Sequence, residues 1–187
     1  MSGVSATGTR ARTRRAILDA AVAVLSQNHG ASLGDIAAAA DVGRTTVHRY
    51  FPERSDLISA LGEHALEQVA AAAQRARLDE GPAPEALARL CRELFDLGDV
   101  LMIIMLDPQV LSEPQWQEET ETDRAILELV ARGQRDGTLD PGVPPSWVQQ
   151  VLWALLYSAW EHARSSAASR HDALGYCERA LRKAIAP

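Results

Sequence analysis

The sequence predicts an all-α protein of about nine helices, with three helices near the N-terminus and a larger helical bundle behind them. Apolar residues recur at the three- and four-residue spacing of helices, and no segment alternates like a β-strand. Apolar residues make up 47% of the 187 residues but aromatic residues only 5%, so the core consists mainly of aliphatic side chains, which suits helix packing. Gly, Pro and capping residues separate the apolar segments, where helices end and begin.

The N-terminal segment predicts a tail followed by one amphipathic helix. Residues 1–9 are small and polar, and we predict that they are disordered. Four arginines follow at positions 10, 12, 14 and 15. Gly30 is a common helix-ending residue and closes a helix whose apolar face carries Ile17, Ala20, Ala21, Val24 and Leu25.

Two very short helices come next, joined by a tight turn. Ser32 and Asp35 form a capping-box pattern that starts a helix over residues 33–40. The turn follows at residues 41–43, where Asp tolerates left-handed backbone and Gly caps the next helix. That third helix covers residues 44–51 and is interrupted by Pro52.

The rest of the chain predicts longer helices separated by proline and glycine. A fourth helix without internal proline covers residues 55–78, and Gly81-Pro82 follows it. Residues 140–145 form a proline-rich loop, and Pro108 and Pro114 bracket a loop or short turn. Five further helices are predicted: one that begins after Pro84, and others over residues 100–106, 115–135, 147–164 and 171–185.

The net charge of −6 conceals a division along the chain. Residues 1–54 hold seven arginines against four acidic residues, a net charge of +3, whereas residues 55–187 carry −9. A basic segment next to an acidic one is typical of a DNA-binding head on an acidic body.

The third helix is expected to present a polar row to the outside. A helix-turn-helix places its second helix in the major groove of DNA while the first braces it. The residues predicted to pack inward are Ile36, Ala40, Val42, Val47 and Phe51, and those left outside are Arg44, Thr45, His48 and Arg49. This pattern predicts sequence-specific binding to duplex DNA; the alternative is a helical hairpin with a solvated outer face.

Residues 10–60 resemble the tetracycline-repressor (TetR) family of transcriptional regulators. The resemblance lies in Ile36-Ala37, in Thr-Val-His-Arg-Tyr-Phe at 46–51 and in Arg-Ser-Asp-Leu at 54–57. The chain departs from the family pattern at Asp41 in place of Gly, Gly43 in place of Ser, Arg54 in place of Lys, and His48 in the common tyrosine position.

The resemblance implies roles for individual residues. It assigns base reading to Arg44, Thr45 and His48, and Arg44 is the strongest candidate because arginine can donate two hydrogen bonds to guanine. For the arginines at 10–15, entry into the minor groove, general attraction to DNA and a solvated tail remain alternatives. Phosphate contacts are implied for Ser32, Thr46, Arg49, Tyr50 and Arg54.

The resemblance also implies a DNA-binding domain over residues 10–54 and a regulatory domain over residues 55–187. The helix at 147–164 is apolar on more than one side. The resemblance implies a homodimer through the last two long helices that binds a palindromic operator, which this helix fits; the alternative is a monomer with an interior helix. We expect a repressor that a small-molecule effector of unknown identity releases from DNA.

The effector pocket is expected among the fourth to eighth helices. Each candidate for its lining can equally be a packing residue, and the candidates are Phe95, Met102, Met105, Trp116, Trp153 and Tyr157. A cavity there favours the effector-released repressor, whereas a filled body favours a constitutive or partner-regulated DNA-binding protein.

An acidic segment surrounds Trp116 and contains no basic residue. Its carboxylates are Glu113, Glu118, Glu119, Glu121 and Asp123. A cationic aromatic ligand would find both negative charge and a π face there. The alternative is a solvated acidic helix start that the helix dipole stabilises.

Nothing in the sequence predicts catalysis, a metal site or a cofactor. The five histidines lack ligand spacing, and no phosphate loop or nucleophile elbow is present. Cys91 and Cys177 give neither a disulfide framework nor a metal pattern. The longest apolar run is too short to span a bilayer and no signal peptide is recognisable, so we expect a soluble cytoplasmic protein.

Overall fold

The computed structural model describes residues 3–165 and 169–187, and in that part of the chain every regular element is a helix. The all-α prediction is confirmed. The segments are α1 (Gly3–Leu25), α2 (Leu33–Ala39), α3 (Arg44–Tyr50), α4 (Arg54–Ala76), α5 (Ala83–Phe95), α6 (Gly98–Met105), α7 (Pro108–Leu111), α8 (Pro114–Gln117), α9 (Glu121–Arg135), α10 (Pro145–Ser165) and α11 (Arg170–Ala184). Only α7 and α8 are single turns of four residues, which leaves nine longer helices among those described.

The N-terminal helix is longer than predicted. Residues 3–9, expected to be disordered, form the start of α1, while residues 1–2 lie outside the described part. Ile17 and Leu18 are buried and anchor the helix. No proline precedes these two residues. The helix can therefore extend toward the N-terminus, because adding residues to a formed helix costs less free energy than starting a new one.

The helix predicted over residues 115–135 is two separate segments, α8 and α9. Thr120 caps α9, because its backbone N–H donates to Asp123 Oδ2 at 2.9 Å and Asp123 N–H donates to Thr120 Oγ1 at 3.1 Å. This is the same capping box that the sequence shows at Ser32 and Asp35. A helix that begins at Glu121 leaves α8 as an isolated turn.

Two compact units divide the chain differently from the predicted domains. The first comprises Met1–Ala65 and Asp99–Trp116, and the second comprises Leu66–Gly98 and Gln117–Pro187. The segment from Asp99 to Trp116, predicted as regulatory, therefore belongs to the unit with the helix-turn-helix. It packs closely there, since a Cβ on Gly62 of α4 would lie 2.9 Å from Val110 Cγ1 and 3.1 Å from Trp116 Nε1.

The second unit has its core among α5, α9, α10 and α11. Trp160 of α10 donates its indole N–H to the carbonyl of Phe95 at 2.9 Å. The guanidinium of Arg132 on α9 donates to the carbonyls of Leu78, Asp79 and Gly81 at 2.9–3.2 Å, which ties α9 to the chain after α4. None of the helices described is long and apolar enough to cross a membrane.

Gly133→Ala is expected to destabilise the second unit by about 1–3 kcal/mol. A Cβ on Gly133 would lie 2.6 Å from both Ala83 Cβ and Leu139 Cδ1, so the buried contact between α9 and the start of α5 must open. Gly175→Ala is the matched control, because its Cβ would meet only Arg179 Nη1 at 3.5 Å. Alanine there should stabilise α11 by roughly 0.5–1 kcal/mol. Urea unfolding of both variants measures the difference, and equal midpoints would contradict it.

Candidate nucleic-acid interface and effector groove

The start of α2 is fixed by the predicted capping box. Ser32 N–H donates to Asp35 Oδ2 at 2.8 Å, and Asp35 N–H donates to Ser32 Oγ at 3.2 Å. The hydrogen bond from the Ser32 backbone, followed by that from its hydroxyl, holds the pKa of Asp35 below its usual range. The carboxylate therefore stays ionised and capped at neutral pH.

The turn between α2 and α3 has the backbone that the sequence predicts. Asp41 adopts φ of +53°, in the left-handed region that Asp tolerates. Val42 N–H donates to the carbonyl of Ala37 at 3.0 Å, and Gly43 is the extended N-cap of α3. These local contacts set the angle at which α3 leaves the turn.

The inner and outer faces of α3 lie as predicted. Val47, Phe51 and Ile36 are buried, and Ala40 and Val42 are partly buried. Arg44, Thr45, His48 and Arg49 are all exposed. The first unit therefore carries a row of donors and cations on a helix of only seven residues.

The side chains of the three residues predicted to read bases have different neighbours within the protein. Arg44 lies across Gly34 of α2, since a Cβ on that glycine would be 3.1 Å from Arg44 Nε. One imidazole nitrogen of His48, Nδ1, is 3.3 Å from the carbonyl oxygen of Pro52. Thr45 lies between them at the exposed start of α3.

The predicted phosphate contacts differ in how they are held. Ser32 and Arg49 are exposed, whereas Thr46 and Tyr50 are half-buried. Tyr50 donates its hydroxyl to the carbonyl of Arg10 at 3.3 Å, and the guanidiniums of Arg10 and Arg49 lie 5.8 and 5.6 Å from its ring centre. The tyrosine thus gathers two cations beside α3.

Arg54 and the N-terminal arginines already have partners within the first unit. The guanidinium of Arg54 donates to the carbonyl of Ala31 at 2.5 Å and also to that of His29. Arg14 pairs with Glu63 at 3.3 Å and Arg15 with Asp19 at 3.0 Å, both in exposed positions. Arg54 therefore ties the first residue of α4 to the turn before α2.

The residues predicted to line an effector pocket are divided between the two units. Phe95 and Met102 are buried, Met105, Trp116 and Trp153 are half-buried, and Tyr157 is 40% exposed. Met102, Met105 and Trp116 belong to the first unit and the other three to the second. The carbonyl of Phe95 accepts the indole N–H of Trp160, and the guanidinium of Arg170 lies 5.3 Å from the centre of its buried ring.

A groove of about 670 Å³ lies in the second unit, between α4 and α9. It combines an apolar floor with charged residues, and its lining is Leu66, Val69, Ala70, Ala73, Gln74, Arg77, Leu78, Asp79, Thr120, Glu121, Thr122, Ala125, Glu128, Leu129 and Arg132. None of the six predicted pocket residues is in this set. Alanines on both helices leave this space open, and such small residues carry no distinctive local pattern in the sequence.

Several carboxylates of the acidic segment around Trp116 form hydrogen bonds or ion pairs within the protein. Glu113 accepts from Ser59 Oγ at 2.5 Å and from Gln115, and Glu119 pairs with Arg124 at 3.4 Å. Asp123 belongs to the cap of α9. Glu121 differs, because it is exposed and lines the groove. The indole N–H of Trp116 is buried and has no acceptor within residues 3–165 and 169–187.

Comparison with known proteins finds regulators. Residues 17–61 match the family model described as "Bacterial regulatory proteins, tetR family". The chain is 44% identical over 158 residues to the HTH-type transcriptional repressor LfrR of Mycolicibacterium smegmatis, which covers 84% of the chain and 82% of that protein. It is also 27% identical over 167 residues to the HTH-type transcriptional regulator NfxB of Pseudomonas aeruginosa, and this alignment covers 85% of the chain and 87% of that protein.

Solved structures give the same result. The crystal structure of the TetR-like transcriptional regulator LfrR from Mycobacterium smegmatis in complex with proflavine superposes with a TM-score of 0.78 at 39% identity and covers 94% of this chain and 98% of that one. A structure of LfrR described without proflavine gives a TM-score of 0.66 at 37% identity, with coverage of 92% and 99%.

Proposed function

Because the chain belongs to the TetR family and is a DNA-binding transcriptional regulator, we propose that it is a cytoplasmic repressor that a flat aromatic cation releases from a palindromic operator. The family consists of regulators, so no enzymatic role is proposed. The observation that carries the DNA-binding part is the exposed row Arg44, Thr45, His48 and Arg49 on a helix whose opposite face is buried.

The proposed division of labour on DNA follows from chemistry. Arg44, Thr45 and His48 read base edges, because their donors are exposed along one side of α3. Ser32, Thr46, Arg49, Tyr50 and Arg54 contact phosphates and position the helix without specifying sequence.

A homodimer through α10 and α11 is part of the proposal. Val148, Leu152, Leu156 and Trp160 form the buried side of α10. Trp147 and Tyr157 of α10 are 54% and 40% exposed, and Tyr176 of α11 is 51% exposed. This is a large apolar exposure for two neighbouring helices. A second copy seated on this face would cover them, and a twofold dimer has two α3 helices for the two half-sites of a palindrome.

The effector proposal rests on the groove and on the relative. Proflavine, found with LfrR, is a flat tricyclic aromatic cation. The groove has room for such a molecule, apolar walls from Val69, Ala73 and Leu129, and the carboxylate of Glu121. The lining has a net charge of −1, because the three carboxylates of Asp79, Glu121 and Glu128 outnumber the guanidiniums of Arg77 and Arg132. A ligand that binds the DNA-incompetent conformation more tightly lowers DNA affinity in proportion.

Selection from random duplexes followed by fluorescence anisotropy tests this function. We expect a palindromic site, two chains per duplex, and release of the duplex on addition of proflavine. A site without symmetry bound by a single chain would contradict the dimer. Selective DNA binding that proflavine leaves unchanged would favour the constitutive alternative or a different effector class.

Arg54→Ala is expected to weaken operator and random DNA alike and to reduce the salt slope of binding by about 1. The reason is the loss of one cation at the start of α4, next to the turn that it holds. Arg54→Lys is the matched control and should keep the slope, because the charge is retained. Anisotropy titrations over a range of salt concentrations measure both slopes. An unchanged slope in Arg54→Ala would contradict the proposed phosphate contact and leave Arg54 only its internal hydrogen bonds.

A further inference from the structure

Cys91 and Cys177 lie side by side although they are 86 positions apart. Their sulfur atoms are 3.5 Å apart, which is the contact distance of two thiols. Both residues are buried, Cys91 on α5 and Cys177 on α11, and both are reduced. The spacing of the two cysteines in the sequence gave no indication of this pair.

The helices that carry the pair are fixed to each other at the next position. Arg92 Nε lies 2.5 Å from Glu178 Oε1, so neighbouring residues of α5 and α11 form an ion pair beside the two thiols. This contact joins the two helices one residue beyond each cysteine. The juxtaposition is therefore a feature of the helix packing.

We propose that Cys91 and Cys177 are a modification site: a dithiol that a hydroperoxide converts into an intramolecular disulfide. A disulfide needs its sulfur atoms about 2.0 Å apart, so these must approach by roughly 1.5 Å. The proposal requires the two side chains to make this movement on oxidation. The inference does not depend on the proposed effector or operator.

Cys177 is the attacking residue and Cys91 the resolving one. Cys177 lines a separate cavity of about 290 Å³ between α10 and α11, whereas Cys91 is completely buried. Tyr176 lines the same cavity, so a small peroxide reaches the Cys177 sulfur while this face is not paired with a second copy. The hydrogen bond between them lowers the pKa of Cys177, and the same bond together with burial raises the pKa of Cys91. The more nucleophilic thiolate therefore forms on the accessible side.

The chemistry balances in two steps. The Cys177 thiolate attacks one oxygen of the hydroperoxide, the O–O bond breaks, and the leaving oxygen takes a proton to give an alcohol, or water from hydrogen peroxide. Cys91 then attacks the resulting sulfenic sulfur, and the hydroxide leaves as water with the Cys91 proton. Two thiols are oxidised by two electrons and one hydroperoxide is reduced.

The disulfide should make the second unit more resistant to unfolding. It would close a loop of 86 residues and so restrict the unfolded chain strongly. The cross-link joins α5 of the core to α11. We therefore expect the melting temperature to rise by several degrees on oxidation and to fall back on reduction.

Treatment of the reduced full-length protein with hydrogen peroxide tests the proposal. After denaturation and alkylation with iodoacetamide, intact mass should show loss of two hydrogens and no added label. Peptide mapping should join the segments that contain Cys91 and Cys177, and dithiothreitol should restore both labels. A protein that retains two alkylatable thiols, or that cross-links between chains on a non-reducing gel, would overturn the proposal.

Single serine variants separate the two roles. In Cys91→Ser we expect Cys177 to stop at sulfenic acid, which dimedone traps. In Cys177→Ser we expect Cys91 to remain a thiol at the same peroxide dose. Dimedone labelling of Cys91 in place of Cys177 would reverse the roles, and the wild-type measurement does not depend on either variant folding well.

Discussion

Arg44→Ala is expected to weaken binding to the selected operator by about 1–3 kcal/mol, roughly 5- to 150-fold, and to relax selectivity at one base position of each half-site. Arg44 is exposed at the start of α3, where a helix-turn-helix brings its first residues to base edges. Its guanidinium can form a bidentate pair with guanine that alanine cannot replace. Anisotropy titrations against every single-base variant of the half-site measure the effect.

The matched control for this variant is Arg49→Ala on the same short helix. Arg49 is also exposed, but it lies beside Tyr50 and is assigned to phosphate. We expect it to weaken operator and random DNA equally. If Arg44→Ala also lowers affinity for both by the same factor, the assignment of base reading to Arg44 is wrong. Melting temperatures close to that of the wild type would confirm that both variants are folded.

The helix-turn-helix could be predicted from sequence because short-range contacts determine it. Ser32 and Asp35 are three residues apart and cap α2 by themselves. Asp41 occupies the left-handed turn position, and Gly43 starts α3. Once these contacts fix the two short helices, burial of Val47 determines which side of α3 faces outward.

The groove between α4 and α9 could not be predicted in the same way, because it depends on packing between distant segments. Ala70 and Ala125 leave space between α4 and α9 only after those helices have paired, and small residues carry no distinctive local pattern. The six residues predicted to line an effector pocket are aromatic or sulfur-containing, and their role in effector binding stays a prediction; the structure buries Phe95 and Met102. The place of Asp99–Trp116 in the first unit likewise depends on packing between distant segments.

Ala70→Phe is expected to raise the proflavine concentration needed to release the operator by about tenfold or more, a loss of at least roughly 1.4 kcal/mol of effector binding. Ala70 is half-buried and lines the groove, so a phenyl ring there occupies the volume that the effector needs. Operator affinity without effector should stay within twofold or so of the wild type, because no residue of the helix-turn-helix is altered. Anisotropy of the operator complex during a proflavine titration gives both values.

Ala88→Phe separates groove blocking from a general effect of added bulk. Ala88 is also half-buried and belongs to the same unit, but it lines a different cavity of about 370 Å³ beside Arg89 and Arg92. We expect proflavine to release this variant from DNA at the wild-type concentration. Release of Ala70→Phe at that same concentration would place the effector outside the α4–α9 groove. Loss of release in Ala88→Phe alone would move the site to the second cavity, since the two substitutions add the same side chain to the same helical unit.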